Sequence, residues 1–451
     1  MNNTSVIIIS AGKGTRMKSS ISKPLHKVGN LELVNHVIST AKKLNCQEIS
    51  VVVSEENCEE IKKNVDDNIK TVIQYDRLGT AHATSVGLSK IECEENYVLI
   101  MYGDVPLIRT ETYENMLTKL KNSNASLVVL GFNVSDIKQK YGRLIVKNNE
   151  ELEKITEYKD ATESERNIKL CNSGIIATKV SLLRELLKEV KNENASKEYY
   201  LTDIVEVARK KDLICNYVVA EEDEVMGVNS REDLSVAERI FQNNKRKEAM
   251  KNGVTLVDPN SVYFSYDTEI SNDVVIEPNV TFLPGVKIDN NVTIKSFSYL
   301  ENCEIKSGCS IGPFARIRPN TVLNENVHIG NFVEIKKSNI EKGVKIGHLT
   351  YIGDSEIGEN TNIGAGTITC NYNGYTKSKT KIGKNSFIGS NTIFVAPVEV
   401  GESVFTGAGS IITKKVDNND LAITRAEQKN VKDGSSRLKD KYKKLKDNTN
   451  K

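Results

Sequence analysis

From residue 270 onward, apolar side chains recur every six residues. They fall at Ile270, Ile276, Phe282, Ile288, Ile294 and Leu300, then at Ile305, Ile311, Ile317, Leu323, Ile329 and Ile335. After one-residue slips the pattern resumes at Ile340, Ile346 and Ile352, at Ile357 and Ile363, and from Ile382 through Ile388, Phe394, Val400, Thr406 and Ile412. A small or β-branched residue follows four places after most of them, as at Val274, Val280, Val286, Cys309, Ala315 and Val327. An α-helix would repeat at 3.6 and an ordinary strand at 2. A strict six specifies a hexapeptide β-helix, in which three hexads close one triangular coil. The interval from Ile363 to Ile382 holds "TCNYNGYTKSKT", too long for one hexad, and is expected to project as a loop. Beyond about residue 418 the period is lost. The lysine-rich end "RLKDKYKKLKDNTNK" reads as a solvated, mobile tail.

The first half obeys different rules. From residue 5 to about 228, β-branched runs such as "SVIII", "ISVVV", "YVLIM" and "ASLVVLGF" alternate with helical patterns such as "LVNHVISTAKKL" and "TYENMLTKLKN". That alternation describes a mostly parallel α/β sheet. Between the halves, Ser230 and Asp233 have capping-box spacing, Leu234, Ala237, Ile240 and Phe241 make a helical stripe, and Gly253 can stop the helix. The expected organisation is a domain over 1–229, a linker helix over 230–252 and a β-helix over 253–451, with the tail from about 419.

Charge and cysteine usage exclude several functions. The 451 residues net only +2, so nothing suggests a nucleic-acid partner, and any charge-driven recognition is local. The eight cysteines (46, 58, 93, 171, 215, 303, 309, 370) include no C-x-x-C pair. They are expected to be reduced thiols rather than zinc ligands or a disulfide framework. No stretch approaches 18 apolar residues and no signal-like N-terminus is seen, so the expectation is a cytoplasmic protein without membrane insertion.

The segment "IISAGKGTRMKSSISKPLH", Ile8 to His26, packs two glycines, an arginine and three lysines behind the first strand. Such a loop suits a phosphate chain, because glycines let backbone N–H groups turn inward while the cations neutralise oxygens. It is neither a Walker A loop, since Gly12 and Gly14 are only two apart, nor a dinucleotide fingerprint, since Met17 stands where a third glycine is needed. "YGDVP" ends another strand. Ligands of such sheets bind beyond the carboxyl ends of the strands, so both segments can face one crevice.

These features occur in a particular order. "AGKGTRM", "LGTAHA", "YGDVPL", "YKDA", "CNSGI" and "EVMGVNSR" precede a hexapeptide helix carrying "GPFARIRP", "GNFVEIKKS", "GHLTYIGD", "NIGAGTITCNYNG" and "APVEVG". Over nearly its whole length the chain resembles the bifunctional N-acetylglucosamine-1-phosphate uridylyltransferase and glucosamine-1-phosphate N-acetyltransferase family. The resemblance implies an α/β nucleotidyltransferase domain, Rossmann-like with a mostly parallel sheet, followed by a left-handed parallel β-helix. It also implies Mg2+ as cofactor, acetyl-CoA as co-substrate and a homotrimer. The substrates would be UTP, N-acetylglucosamine 1-phosphate and glucosamine 1-phosphate. Departures from the family pattern are Ser10 for a usual alanine, Pro24 for valine, and "GNLEL" from Gly29 to Leu33.

For the uridylyl site the resemblance implies Arg16 and Lys23 on the phosphates, supported by the amides of Ala11 to Gly14, with Ile9, Ser10 and Gly12 in the same loop. Asp104, with Gly103 beside it, offers a hard oxygen ligand, and Asn229 is its implied partner on magnesium. Gln74, Gly79 and Thr80 would meet the uracil, Tyr102 the nucleotide, and Gly142, Glu157 and Asn172 the sugar. Taken alone these have plainer readings: a glycine pair can be a tight turn, and Asp104 before Val-Pro can start one.

For the acetyl site His348 is the implied base, since histidine changes charge near neutrality. It is the one histidine of five set among basic residues and a projecting polar loop; His328 lacks such company. Arg318, Lys336 and Lys377 would clamp the sugar phosphate, with Tyr351 and Asn362 as further contacts and Glu334 tuning the base. Ala365, Asn371, Tyr372, Ser390, Ala408 and Arg425 would line the coenzyme groove. A single-activity sugar nucleotidylyltransferase with a structural β-helix should lack the histidine, the "NYNG" loop and the cations. A regulatory subunit should have lost Arg16, Lys23 or Asp104. This chain keeps all of them.

Overall fold

The computed structural model describes residues 3–66, 68–147, 151–194 and 196–449. They form two compact units, Met1–Glu248 with Phe264–Tyr266, and Ala249–Tyr263 with Asp267–Lys451.

In the first unit the apolar runs become strands of one mixed sheet. Its order is Cys215–Ala220, Leu127–Asn133, Leu170–Lys179, Tyr97–Tyr102, Thr4–Ile9, Glu48–Val53 and Lys70–Ile73. The pairs flanking Thr4–Ile9 are parallel, while Leu170–Lys179 runs antiparallel to both neighbours. A hairpin of Arg143–Lys147 and Glu151–Thr156 extends from that antiparallel strand. The strands read as unbroken apolar runs because both faces are covered. Val6 and Ile8 pack with Val34, Val37 and Ile38 of the helix Leu33–Lys43 and with Met116 and Leu117 of Thr110–Asn122. Ile7 faces the other way, among Ala81, Ala83, Leu183 and Ile204. The helix Arg231–Lys251 begins with the expected reciprocal cap: the Ser230 amide donates to Asp233 (2.8 Å) and the Asp233 amide to the Ser230 hydroxyl (3.1 Å).

The second unit is a stack of coils whose short strands form three parallel sheets, each built from every third strand. Coil neighbours fall 18 residues apart where the hexads are unbroken, as in Ile276 against Ile294, and 17 where a slip intervenes, as in Ile294 against Ile311. The period-six residues fill the interior: Ile276, Ile294, Ile311, Ile329, Ile346 and Ile388 are wholly buried. The expected loop is there. Asn371 leads into a small hairpin in which Tyr372 bridges to Lys377, and the Asn373 side chain accepts from the Tyr375 and Thr376 amides (2.9 and 2.8 Å). One edge of the stack carries Phe297, Phe314 and Phe332 at positive φ, stacked at 4.9 and 5.1 Å and about half exposed.

The end of the chain differs from the expectation. The stack gains a last strand, Leu421–Ala422, paired with Phe405–Thr406, and Gly434–Thr449 is a helix of 16 residues. The loss of the six-residue period marks the end of the coils, but a helical period of three and four in Leu438, Tyr442 and Leu445 takes its place.

Candidate functional sites

At the carboxyl ends of Thr4–Ile9 and Tyr97–Tyr102 the chain assembles a cationic loop against an oxygen pair. Ile9 and Tyr102 are in register, and the Gly103 amide donates to the Ile9 carbonyl (3.0 Å). Gly14 has φ +61°, and a Cβ there would stand 2.6 Å from Lys23 Cβ, so the turn needs glycine. Lys23, largely buried, forms an ion pair with Asp104 and donates to Asn229 Oδ1 (3.1 Å). The Val228 amide donates to the Asp104 carbonyl (2.8 Å), and Asp233 accepts from the Asn229 amide (2.9 Å), fixing both oxygens on one cation. One carboxylate and one amide oxygen converging on a single positive charge make a hard donor pair, which fits Mg2+ with its remaining waters. Arg16, in the short helix Thr15–Met17, is exposed and has no ion-pair partner among the described residues.

Around this centre lie the other expected residues. Gln74 is buried and bonded to His82 (3.0 Å), and its amide reaches the Gly79 carbonyl (3.5 Å). Gly79 has φ +124°, and a Cβ would strike the Tyr199 carbonyl at 2.5 Å. The Thr80 hydroxyl accepts from the Leu201 amide (2.9 Å). Burial, then Asp104 and Glu157, push the Tyr102 hydroxyl far up, so it stays neutral. Gly142, Glu157 and Asn172 come together: the Asn172 amide donates to the Gly142 carbonyl (2.9 Å), and a Cβ on Gly142 would stand 3.4 Å from the Glu157 carboxylate. Burial, then Asp160, raises the Glu157 carboxyl, against a hydrogen bond from Thr202 (3.3 Å). Ser10 is buried with its Oγ pressed against Gly103 and no hydrogen-bond partner for that oxygen among the described residues. Asn57, not anticipated, ties the loop at both ends, donating to the Ser10 carbonyl (3.0 Å) and to the Ser22 hydroxyl (3.2 Å). The Ser54–Asn57 capping spacing was its one visible signal.

The second constellation lies on the β-helix. His348 sits at a corner, where Nδ1 is 2.5 Å from Asn331 Oδ1. An amide oxygen only accepts, so Nδ1 is the donor in this contact and Nε2 is the ring nitrogen left for another partner. Corner carbonyls follow one another along this edge: His348 accepts from Gly366 (3.2 Å), Ala365 from Asn391 (2.7 Å), Ser390 from Gly409 (2.8 Å), and Ala408 from the Arg425 guanidinium (2.8 Å). His348, Ala365, Ser390, Ala408 and Arg425 therefore form one column. On the adjoining sheet, Arg316, Glu334, Tyr351 and Ile368 are successive rungs. The Arg318 guanidinium donates to Glu334 (2.7 Å). Lys377, first, and Arg318 press the Lys336 ammonium below its usual range, so three cations gather there. The Tyr351 hydroxyl and the Asn371 amide nitrogen both lie over Gly353, 2.5 and 2.7 Å from where a Cβ would stand. Tyr372 is exposed at the base of the projecting loop. Asn362 stands apart, on the sheet between Lys345 and Phe387. Among the described residues Glu334 bonds Arg318 and pairs with Arg316, while the His348 ring bonds Asn331. Asn331, which sequence reasoning missed, orients the ring.

A glycine-loop α/β unit and a hexapeptide β-helix with a histidine edge, carried on one chain, define a two-site transferase. Residues 6–167 match the MobA-like NTP transferase domain, residues 267–302 the bacterial transferase hexapeptide repeats and residues 300–420 the GMPPB C-terminal domain. Proteins named bifunctional protein GlmU are 46% identical in Paramagnetospirillum magneticum (96% of both chains), Zymomonas mobilis (94% of this chain, 95% of the relative) and Paracoccus denitrificans (94% of both). The chain belongs to the bifunctional GlmU family.

Proposed function

We propose that the second unit acetylates glucosamine 1-phosphate from acetyl-CoA, and that the first unit, within residues 1–229, joins the product to UMP from UTP. The products of the second step are UDP-N-acetylglucosamine and diphosphate. The observation that carries this reading is the presence of both constellations, Lys23–Asp104–Asn229 and His348–Asn331, on one chain.

In the uridylyl step an oxygen of the sugar phosphate attacks the α-phosphorus of UTP while the bond to diphosphate breaks. No covalent intermediate is needed, so the chain aligns and neutralises. Arg16 and the Ala11–Gly14 amides hold the phosphates, and Lys23 exchanges Asp104 for phosphate oxygens. Asp104 and Asn229 would hold Mg2+, which supplies charge stabilisation when bound. Tyr102, kept neutral, can donate a hydrogen bond without repelling the phosphates. In the acetyl step Nε2 of His348 takes a proton from the sugar ammonium. The freed amine attacks the thioester carbonyl, the C–S bond breaks, and the coenzyme thiol leaves with a proton. Arg318, Lys336 and Lys377 hold the sugar phosphate, while the small residues of the corner column leave room for the coenzyme arm.

A homotrimer supports this site, because Asn362 lies on a different sheet from the Arg318 ladder within one chain. The exposed Phe297–Phe314–Phe332 edge, ending at Leu349 beside His348, offers a neighbour an apolar contact. The eight free cysteines suit the cytoplasm. The second reading is one activity, nucleotidyl transfer, with a structural β-helix. One purified preparation assayed for both half-reactions, with its mass by light scattering, decides between them. Uridylyl transfer without acetyl transfer would favour the second reading, and an active monomer would remove the trimer.

A further inference from the structure

The positive charge of the chain is collected at its end. Residues 429–451 hold nine Lys and Arg against three Asp, a net of +6 on a chain whose total is +2, so the preceding 428 residues net −4. The helix Gly434–Thr449 sorts these charges. At about 100° per residue, Leu438, Tyr442 and Leu445 fall in one strip about 60° wide. All three are more than half exposed, at 51%, 63% and 52%. Lys439 and Lys446 border the strip on one side and Lys441 on the other, while Asp440 and Asp447 lie opposite it. Residues 426–433, outside helix and strand, separate this helix from the last coil.

Each candidate occupant asks something different of this pattern. A second copy of the helix would match the four-three spacing of a coiled coil, but lysines 439, 441 and 446 would then face the same lysines. Nucleic acid would neutralise the lysines yet make no use of an apolar strip. The acidic face of the β-helix, with Glu341, Glu356, Glu359, Glu399 and Glu402, is interleaved with Lys381, Lys384 and Lys415. Its charges are already met by pairs such as Lys379–Glu356 (2.9 Å) and Lys384–Glu402 (3.5 Å). An anionic lipid surface uses every feature. The strip sinks to the boundary of headgroup and acyl chain, the flanking lysine stems lie along it with their ammonium groups at lipid phosphates, and the two aspartates face water.

We infer that the helix Gly434–Thr449 is an interfacial anchor, a basic amphipathic helix that adsorbs flat on anionic lipid and tethers both units in water. The strip is short, so adsorption needs its apolar and its electrostatic part together.

The chain has no tryptophan, so Tyr442→Trp in the full-length protein places one fluorophore in the strip. With vesicles of phosphatidylcholine carrying about 30% phosphatidylglycerol, the emission should shift to the blue and the protein should co-sediment. Pure phosphatidylcholine, or about 0.5 M NaCl, should weaken binding at least about tenfold. Leu438→Asp with Leu445→Asp, and separately Lys439→Glu with Lys441→Glu and Lys446→Glu, should abolish co-sedimentation and leave both reaction rates unchanged. Failure to bind either vesicle overturns the inference. So does blue-shifted emission before vesicles are added, which would place the helix on the protein's own surface, or tighter binding to a duplex oligonucleotide than to anionic vesicles.

Discussion

His348 Nδ1 and Asn331 Oδ1 meet at 2.5 Å across adjacent coils, 17 residues apart in the chain. This contact fixes which ring nitrogen is free. In Asn331→Asp a carboxylate would favour the protonated ring. The acidic limb of acetyl transfer in that variant should therefore move to higher pH. A pH–rate profile superimposable on that of the unmodified protein would show that Asn331 does not orient the base.

Removing the proposed base should cost about 10²- to 10⁴-fold in acetyl transfer. His348→Ala should do this without slowing uridylyl transfer from N-acetylglucosamine 1-phosphate. His328, whose ring is shifted toward the neutral form first by burial and then by Lys295 and Lys345, should tolerate alanine in both assays. The reverse pattern would relocate the base.

Asp104→Ala should lower diphosphate release from UTP by at least about 10²-fold, the scale on which a lost charge-stabilising group acts. Acetyl transfer should persist, and excess magnesium should rescue little. Normal uridylyl activity would leave the Lys23–Asp104 pair a structural contact only.

Asp203 tests the cluster of carboxylates it forms with Glu157, Asp160 and Glu206. Burial, then Glu206, Glu157 and Asp160, raise its carboxyl from 3.8 to about 6. The folded state therefore binds a proton more readily than the unfolded chain, and stability falls as pH rises through that window, with the full cost present above about 6. Asp203→Asn should raise stability at pH 7 by on the order of 1 kcal/mol, after discounting for the side chain's partial exposure, and the gain should vanish below about pH 4. Chemical denaturation at both pH values measures it; an equal gain at both would point to a cause other than titration.

How far the sequence reached depends on the kind of information each feature carries. The buried positions of the β-helix were legible because period six sets them one coil at a time, and Ile311 and Ile346 need no knowledge of their neighbours. The Asn331–His348 contact was not, because it depends on the slip that makes this coil 17 residues rather than 18. Lys23, Asp104 and Asn229 were found through motifs, yet 206 residues separate Lys23 from Asn229, and only the sheet brings them together. Asn57 was not singled out, because its cap with Ser54 is local whereas its ties to Ser10 and Ser22 span 47 and 35 residues. The Glu334–Arg318 bond was not legible either, because it joins adjacent coils 16 residues apart. Ser10 departs from the family's alanine without a hydrogen bond for its hydroxyl among the described residues.

The corner column has a metric consequence. Successive parallel rungs stand about 4.8 Å apart, so His348 and Ala408, three rungs removed, are separated by roughly 14 Å along the axis, with Arg425 beyond. Length along this edge is quantised: the distance between His348 and Arg425 can change only by adding or deleting whole coils. A change of one or two residues would be absorbed as a slip or a bulged loop, as the Asn371–Ser378 excursion is, and would leave the ruler unchanged.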